Sequence, residues 1–396
     1  MRQRISISIS LLLGVAILMM VPSGRAHEPI TTKVMFNKEV IRILQRNCLA
    51  CHSPGRIKAD IPLTTYQEAR PWAKAIKEEV LEKRMMPFQA IKGYGAFRHS
   101  YALPQRDQEL LISWIEGGAP KGEEKDYPRE EIEKIANGQD WPAGEPDLVL
   151  QPAKETRIPA EAEDDLRCFE LPARVSEPRW IGQIGFQPGN GTVVHSASFF
   201  LAMPAQKAAC SLPEARLQSL GEWIPGQEPL TYPAGMARRL PANARVVLKV
   251  RYRGNGEDAV DRSRLGFYFA KTDVRQSIDR IVITPAAATL PANAESHRIV
   301  ASRLIEADSE GVGIRPLLYP YATSVEATVT RPDGSCEVLI LTRNYRYPWQ
   351  PTYFFKEPVP LPKGSRIIVT AYLNNGEEKA VRLAQPLCEI VTSRKI

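Results

Sequence analysis

Cys48-Leu49-Ala50-Cys51-His52 is the stretch from which the rest of the chain is read. Two cysteines separated by two residues and followed at once by histidine form the attachment signature of a c-type haem. The thiols can form thioethers with the two porphyrin vinyl groups, and His52 is then held beneath the iron as an axial ligand. The same five residues are also open to other readings: a thioredoxin-like redox pair, half of a zinc site, or chance. The flanking sequence favours the haem.

Upstream, Phe36, Val40, Ile41, Ile43 and Leu44 mark one face of an amphipathic helix that runs into Cys48. Pro54-Gly55 makes a turn after it. Helical periodicity returns from Pro71 to Arg84, with Trp72, Ile76, Val80 and Leu81 predicted inward and Pro71 suited to the first turn. A third helix is predicted from Pro104 to Glu116, with Leu110, Leu111, Trp114 and Ile115 inward and Gly117-Gly118 ending it. Residues 30–122 therefore read as a small all-α unit. The second axial ligand should come from a loop able to close over the other face of the iron. Arg84-Met85-Met86-Pro87-Phe88 offers one, because Pro87 forces the chain out of helix. Met86 is the expected donor and Met85 the reserve; His99 is a further alternative, and core packing is the other use of such methionines.

The chain has 396 residues, 43% hydrophobic and 24% charged, which suits a soluble globular protein of two or three domains. Its 33 prolines hint at a turn-rich, strand-rich body. Residues 1–26 read as a signal peptide, with Arg2 and Arg4 before an apolar run and Gly24-Arg25-Ala26 as the cleavage site; an uncleaved anchor is the alternative. No other apolar run approaches the roughly 18 residues of a spanning helix. Cleavage after Ala26 removes three arginines and no acids, lowering the formal charge from +7 to +4. So mild an excess is not a nucleic-acid footprint. The expected location is periplasmic or otherwise exported, which makes Cys168, Cys210, Cys336 and Cys388 candidates for disulfides. Their pairing stays open: two bridges, one bridge or four thiols.

Residues 123–140 are rich in Lys and Glu and read as a linker, with a helical turn near Ile132 to Ala136. Beyond Trp141 the periodicity changes. Val193 to Phe200, Arg245 to Arg251 and Arg366 to Tyr372 are strand-like and bounded by Pro, Gly and Asn turns. Two β-sandwiches are expected, 141–283 and 284–396, divided at a proline-bearing stretch near Thr284 to Ala294.

The run from Cys48 through Met86-Pro87-Phe88, Gly95-Ala96-Phe97 and Trp114 to Pro120 resembles the cytochrome c domain placed N-terminally in certain bacterial secreted proteins. Those carry a copper monooxygenase-like module behind the haem, and their distal motif usually reads Met-Pro-Pro-Trp, from which Pro87-Phe88 departs. The body resembles the copper type II, ascorbate-dependent monooxygenases of the peptidylglycine hydroxylating kind. That likeness rests on Trp141 to Asp147, Pro188 to Asn190, Val194-His195, Trp223 to Gly226, Pro332 to Gly334, Tyr347 to Gln350 and Leu361 to Gly364. The resemblance implies a multidomain fold: a small all-α cytochrome c domain followed by two all-β jelly-roll-like sandwiches.

It also implies two coppers, held by imidazole and thioether ligands. Carried over motif by motif, a His-His pair falls on His195 and Ser196, and a later His-Tyr-His segment falls on Arg251-Tyr252-Arg253. A His-x-His pair falls on Leu317 and Tyr319, and the methionine segment that should close the second site is replaced by Cys388-Glu389-Ile390. Arginine stays charged and has no lone pair to donate. The expectation is one covalent haem c and no catalytic copper, with His195 a leftover strand histidine. The expected function is electron transfer to a redox partner protein or complex, with no nucleic acid and no membrane span after signal cleavage. A copper-dependent monooxygenase fed by its own haem domain is the enzymatic alternative, and a structural subunit of a periplasmic redox complex is the third.

Overall fold

The computed structural model describes residues 31–85, 90–99, 101–137, 141–202, 208–317, 321–343, 350–383 and 385–396. The signal segment, Met86 and Tyr319 lie outside the described residues. The chain is a mainly β, multidomain protein with a short helical N-terminal part.

That helical part opens with a π-helical turn, Phe36–Val40, which continues directly into the helix Ile41–Asn47. Phe36, Val40, Ile41, Ile43 and Leu44 are all buried, as their spacing predicts. Phe36 packs against Trp114 at 5.9 Å between ring centroids and against Tyr66 at 5.6 Å. Thr65 starts the next helical run, Tyr66–Ala69, with a capping box: its hydroxyl accepts from the Glu68 N–H, and Glu68 accepts from the Thr65 N–H. Such reciprocal bonds satisfy two donors that would otherwise be orphaned. Pro71 then sits in a 3₁₀ turn, Arg70–Trp72, before the helix Ala73–Leu81. Gln105–Glu116 forms the third long helix, with Leu111 and Trp114 buried.

Two expectations are corrected here. Trp72, just before the helix Ala73–Leu81, and Leu81, at its end, are 40% and 48% exposed although predicted inward; the side the helix buries carries Ala73. The stretch read as a linker holds the helix Arg129–Asn137, whose Ile132 is buried in the helical core; the Tyr127 hydroxyl nearby donates to Thr64 O.

The body is built from three main sheets. One of nine strands runs in the order Leu148–Leu150, Arg264–Phe269, Arg179–Gln187, Met236–Leu240, Gln276–Ile283, Cys388–Lys395, Ser309–Pro316, Tyr353–Leu361, with Leu230–Thr231 pairing to the third. Asp165–Pro172, Arg245–Tyr252, Val194–Ala202 and Gln218–Trp223 form a four-stranded sheet over its first half. Ala294–Leu304, Arg366–Asn375, Ala322–Thr330 and Cys336–Arg343 form another over its second half. Alternate residues of facing sheets make the two cores: Ile181, Ile184, Phe267 with Val246, Leu248, Phe199 in one, and Ile314, Tyr353, Ile390 with Val325, Ile340, Val369 in the other.

The two sandwiches share one continuous sheet. Gln276 and Ser277 pair in parallel with Met236 and Ala237, and the whole of Gln276–Ile283 pairs antiparallel with Cys388–Lys395. The strand placed in the first sandwich by a boundary after 283 thus belongs with the second, because its ladder partner is the C-terminal strand. The stretch near 284–294 also holds a short strand, Ala288–Leu290, paired with Val381–Leu383. One disulfide joins Cys168 to Cys210; Cys336 is an exposed thiol and Cys388 a buried one.

Candidate functional site

The Cys-x-x-Cys-His segment continues the helix Ile41–Asn47 as a tight turn. Cys48 N–H donates to Leu44 O at 2.7 Å, and Cys51 N–H and His52 N–H both donate to Cys48 O, at 3.0 and 2.9 Å. Cys48 itself leaves helical geometry, at φ −123° and ψ −38°, and Cys51 and His52 follow in the turn it opens. Leu49, between them, is fully buried in the helical core and anchors the turn. Ser53 Oγ donates to Leu49 O at 2.6 Å.

His52 Nδ1–H donates to Ile61 O at 2.9 Å, and Leu63 N–H donates to His52 O. A carbonyl oxygen only accepts, so the proton sits on Nδ1 and the lone pair on Nε2. Burial holds the imidazole below its usual pKa, keeping it neutral. Both cysteines are free thiols, not bridged to each other. Burial pushes Cys48 up to about 12 and Cys51 up to about 11, against the pull of Arg56 and Lys58 on the latter. That direction runs opposite to the lowered pKa of an exchange-active cysteine. Two neutral thiols and an imidazole with a free Nε2 fit covalent haem attachment with axial ligation: orienting a ligand imidazole through its other nitrogen is the usual arrangement at metal sites.

The body packs on this turn. A β-carbon placed on Gly226 would lie 3.8 Å from Cys51 Sγ and 3.9 Å from Ala50 Cβ, so the turn Ile224 to Gln227 of the first sandwich lies against the motif. Gly226 has φ +83°, which favours glycine in that turn.

Residues 90–99 pair with the second sandwich. Ile91 N–H donates to Leu341 O, Arg98 N–H donates to Phe354 O, and Lys356 N–H donates to Ala96 O, each at 2.8 Å. Ala90 and Phe97 are buried in the core of the second sandwich. Residues 90–99 therefore thread between Cys336–Arg343 and Tyr353–Leu361 instead of closing within the unit 30–122. Gly95 is required there, at φ +81°, because a β-carbon would strike Leu339 O. Sequence patterning carries no sign of this pairing, since its partners lie some 250 positions away.

Among the axial alternatives, Met86 falls outside the described residues. Met85 is 41% exposed, with its N–H on Glu79 O. His99 Nε2 lies 2.8 Å from Glu228 Oε2 of the body and is engaged there.

The positions matched to copper ligands fall in two places. Ser196 pairs with Arg251 across neighbouring strands, His195 sits in the register shift beside it, and Arg253 N–H donates to Val193 O, so these four come together. Arg251 forms an ion pair with Asp164. His195 is buried, and burial together with Arg253 and Arg251 pulls its pKa down to about 4. Leu317 lies past the end of Ser309–Pro316, its N–H on Leu387 O.

One cluster has no counterpart in the sequence reading. Glu222, Arg280, Arg315 and Glu389 meet where the two sandwiches join, and all four side chains are largely buried. They come from four strands and no short motif links them.

No family model matches this chain, and no curated protein matches it. Among solved structures it is similar to a structure of infectious bursal disease virus, Gx strain (8% identity, TM-score 0.21, 62% of this chain and 72% of that one). It is also similar to a two-domain protein of unknown function from Bacteroides fragilis (11% identity, TM-score 0.18, 69% and 99%). A third is a protein from Parabacteroides distasonis (8% identity, TM-score 0.17, 66% and 94%).

Proposed function

We propose that this protein is an exported, mono-haem c-type electron-transfer protein whose two jelly-roll-like sandwiches hold no catalytic copper and serve for docking or binding. The observation that carries the reading is the His52 Nδ1–Ile61 O hydrogen bond beside two unbridged thiols at the attachment spacing. When bound, the haem supplies the one-electron Fe(II)/Fe(III) couple. The chain's own part is to anchor the porphyrin through Cys48 and Cys51, to present His52 Nε2 to the iron, and to supply a second ligand, for which Met86 is proposed. Trp72 just before the helix Ala73–Leu81, Leu81 at its end and Met85 beyond it are exposed apolar side chains of the same helical unit, of the kind a porphyrin would cover.

At the copper-matched positions, one imidazole stands beside a hydroxyl and two guanidinium groups. Cationic arginines repel a second cation and offer no lone pair. The Cys168–Cys210 disulfide suits an oxidising, exported location. Elemental analysis of protein matured with haem and then exposed to copper tests the reading. It predicts one iron per chain and no stoichiometric copper; two tightly held coppers would replace it with the monooxygenase.

A further inference from the structure

The first sandwich holds the attachment loop at two points. At one, the turn Ile224 to Gln227 lies on Cys51 and Ala50, and glycine at 226 lets the backbone come that close. At the other, Gly191 meets the turn that follows the motif: a β-carbon there would overlap Gly55 O at 2.5 Å and lie 3.6 Å from Arg56 Cα. Both contact points are fixed by hydrogen bonds within the sandwich. Gln227 is buried, its N–H donating to Ile224 O and its Nε2 to Glu222 O, each at 3.0 Å. Asn190 N–H donates at 2.8 Å to Asp261 Oδ1, and the buried Asp261 also accepts from the Tyr252 hydroxyl at 2.8 Å. The loop itself closes on its own attachment residues: Lys58 N–H donates to Cys51 O and Leu63 N–H to His52 O, both at 3.0 Å.

We infer that the first sandwich forms the wall of the haem site at Cys51, with Gly226 its point of closest approach, and that this wall takes part in setting the haem potential. This rests on the haem reading proposed above. Whatever the porphyrin's tilt, the carbon bonded to Cys51 Sγ is one covalent bond from that sulfur. A side chain at 226 is therefore one bond and one van der Waals contact from the cofactor, its β-carbon 3.8 Å from the sulfur. Haem potentials respond to burial and to the groups packed around the site. Uncharged backbone in place of water on that side disfavours the extra positive charge of ferric iron, so the wall raises the potential. The body then has a use that needs no copper.

The test is the midpoint potential of the full-length holoprotein, read by spectroscopic redox titration near neutral pH. Gly226→Asp and Gly226→Asn add side chains of nearly the same size, both tolerated by left-handed backbone, and differ by one charge. The carboxylate should shift the iron about tenfold toward the ferric state relative to the amide, lowering the potential by about 59 mV. Gly334, in a turn of the second sandwich, is the control: its φ of +84° matches the +83° of Gly226, and nothing lies within 4 Å of a β-carbon placed there. Gly334→Asp and Gly334→Asn should keep the wild-type potential. A merely structural role for Gly226 would lower the melting temperature of both its variants alike and leave their potentials equal. Equal potentials in Gly226→Asp and Gly226→Asn, or an equal shift between the two Gly334 variants, would overturn the inference. If Gly226→Asp does not yield holoprotein, Gly226→Lys against Gly226→Gln decides, and the lysine should raise the potential by a similar amount. A wild-type chain without covalent haem would instead defeat the function reading itself, and is recognised before any variant is made.

Discussion

Arg280 reaches Glu389 on the neighbouring strand at 2.7 Å and Glu222 of the first sandwich at 3.9 Å. Arg315 pairs with the same two carboxylates, so two cations and two anions close a buried ring across the sandwich junction. Burial alone would raise the Glu389 pKa, but Arg280 and Arg315 outweigh it and hold the carboxyl below its usual range. Such a ring is worth little against an apolar core of the same shape, yet removing one member strands the rest. Arg280→Met should therefore destabilise the fold by about 3–5 kcal/mol in urea titration. A loss within a few tenths of a kcal/mol would mean that the ring is hydrated.

The disulfide between Cys168 and Cys210 spans 42 positions and ties the edge strand Asp165–Pro172 to the 3₁₀ turn Ala209–Ser211. In the chain-entropy account, closing a loop of that length stabilises by about 4 kcal/mol. Cys168→Ala paired with Cys210→Ala should lower the unfolding free energy of the body by that order. Adding reductant to the wild type should do the same, and should add nothing to the double variant.

His195 gives the stability a pH dependence with a definite sign. Its folded pKa of about 4 lies below the ordinary 6.5, so between those values the unfolded chain binds a proton that the folded chain refuses. The contribution is full above pH 6.5 and is lost as pH falls toward 4. The loss should amount to about 2–3 kcal/mol. His195→Phe should remove that part of the slope, read as the difference between wild-type and variant unfolding free energies at pH 7 and pH 4.5.

Much of the local structure was legible from residue spacing. The face made by Phe36, Val40, Ile41, Ile43 and Leu44 is buried as drawn, and strands were expected at 193–200, 245–251 and 366–372, where Val194–Ala202, Arg245–Tyr252 and Arg366–Asn375 lie. Periodicity reports which face is apolar and not what covers it, which is why Trp72 and Leu81 were placed inward. Long-range pairing has no such signature. The choice of Cys168–Cys210 among the possible bridges, the joining of Gln276–Ile283 to Cys388–Lys395, and the threading of residues 90–99 into the second sandwich all depend on partners tens to hundreds of positions apart. At the candidate site the motif itself was plain, whereas the Ile61 carbonyl that orients His52 could not be singled out, since every residue carries one.

The most direct measurement is a pyridine haemochrome spectrum of the protein after matured chain has been denatured and extracted with acidified organic solvent. A haem tied to Cys48 and Cys51 by thioethers must stay with the polypeptide, at one per chain, with the band position of saturated vinyl groups. Cys48→Ser paired with Cys51→Ser should leave the extracted polypeptide colourless. A wild-type chain that gives up its haem to the solvent, or carries none, would contradict the account.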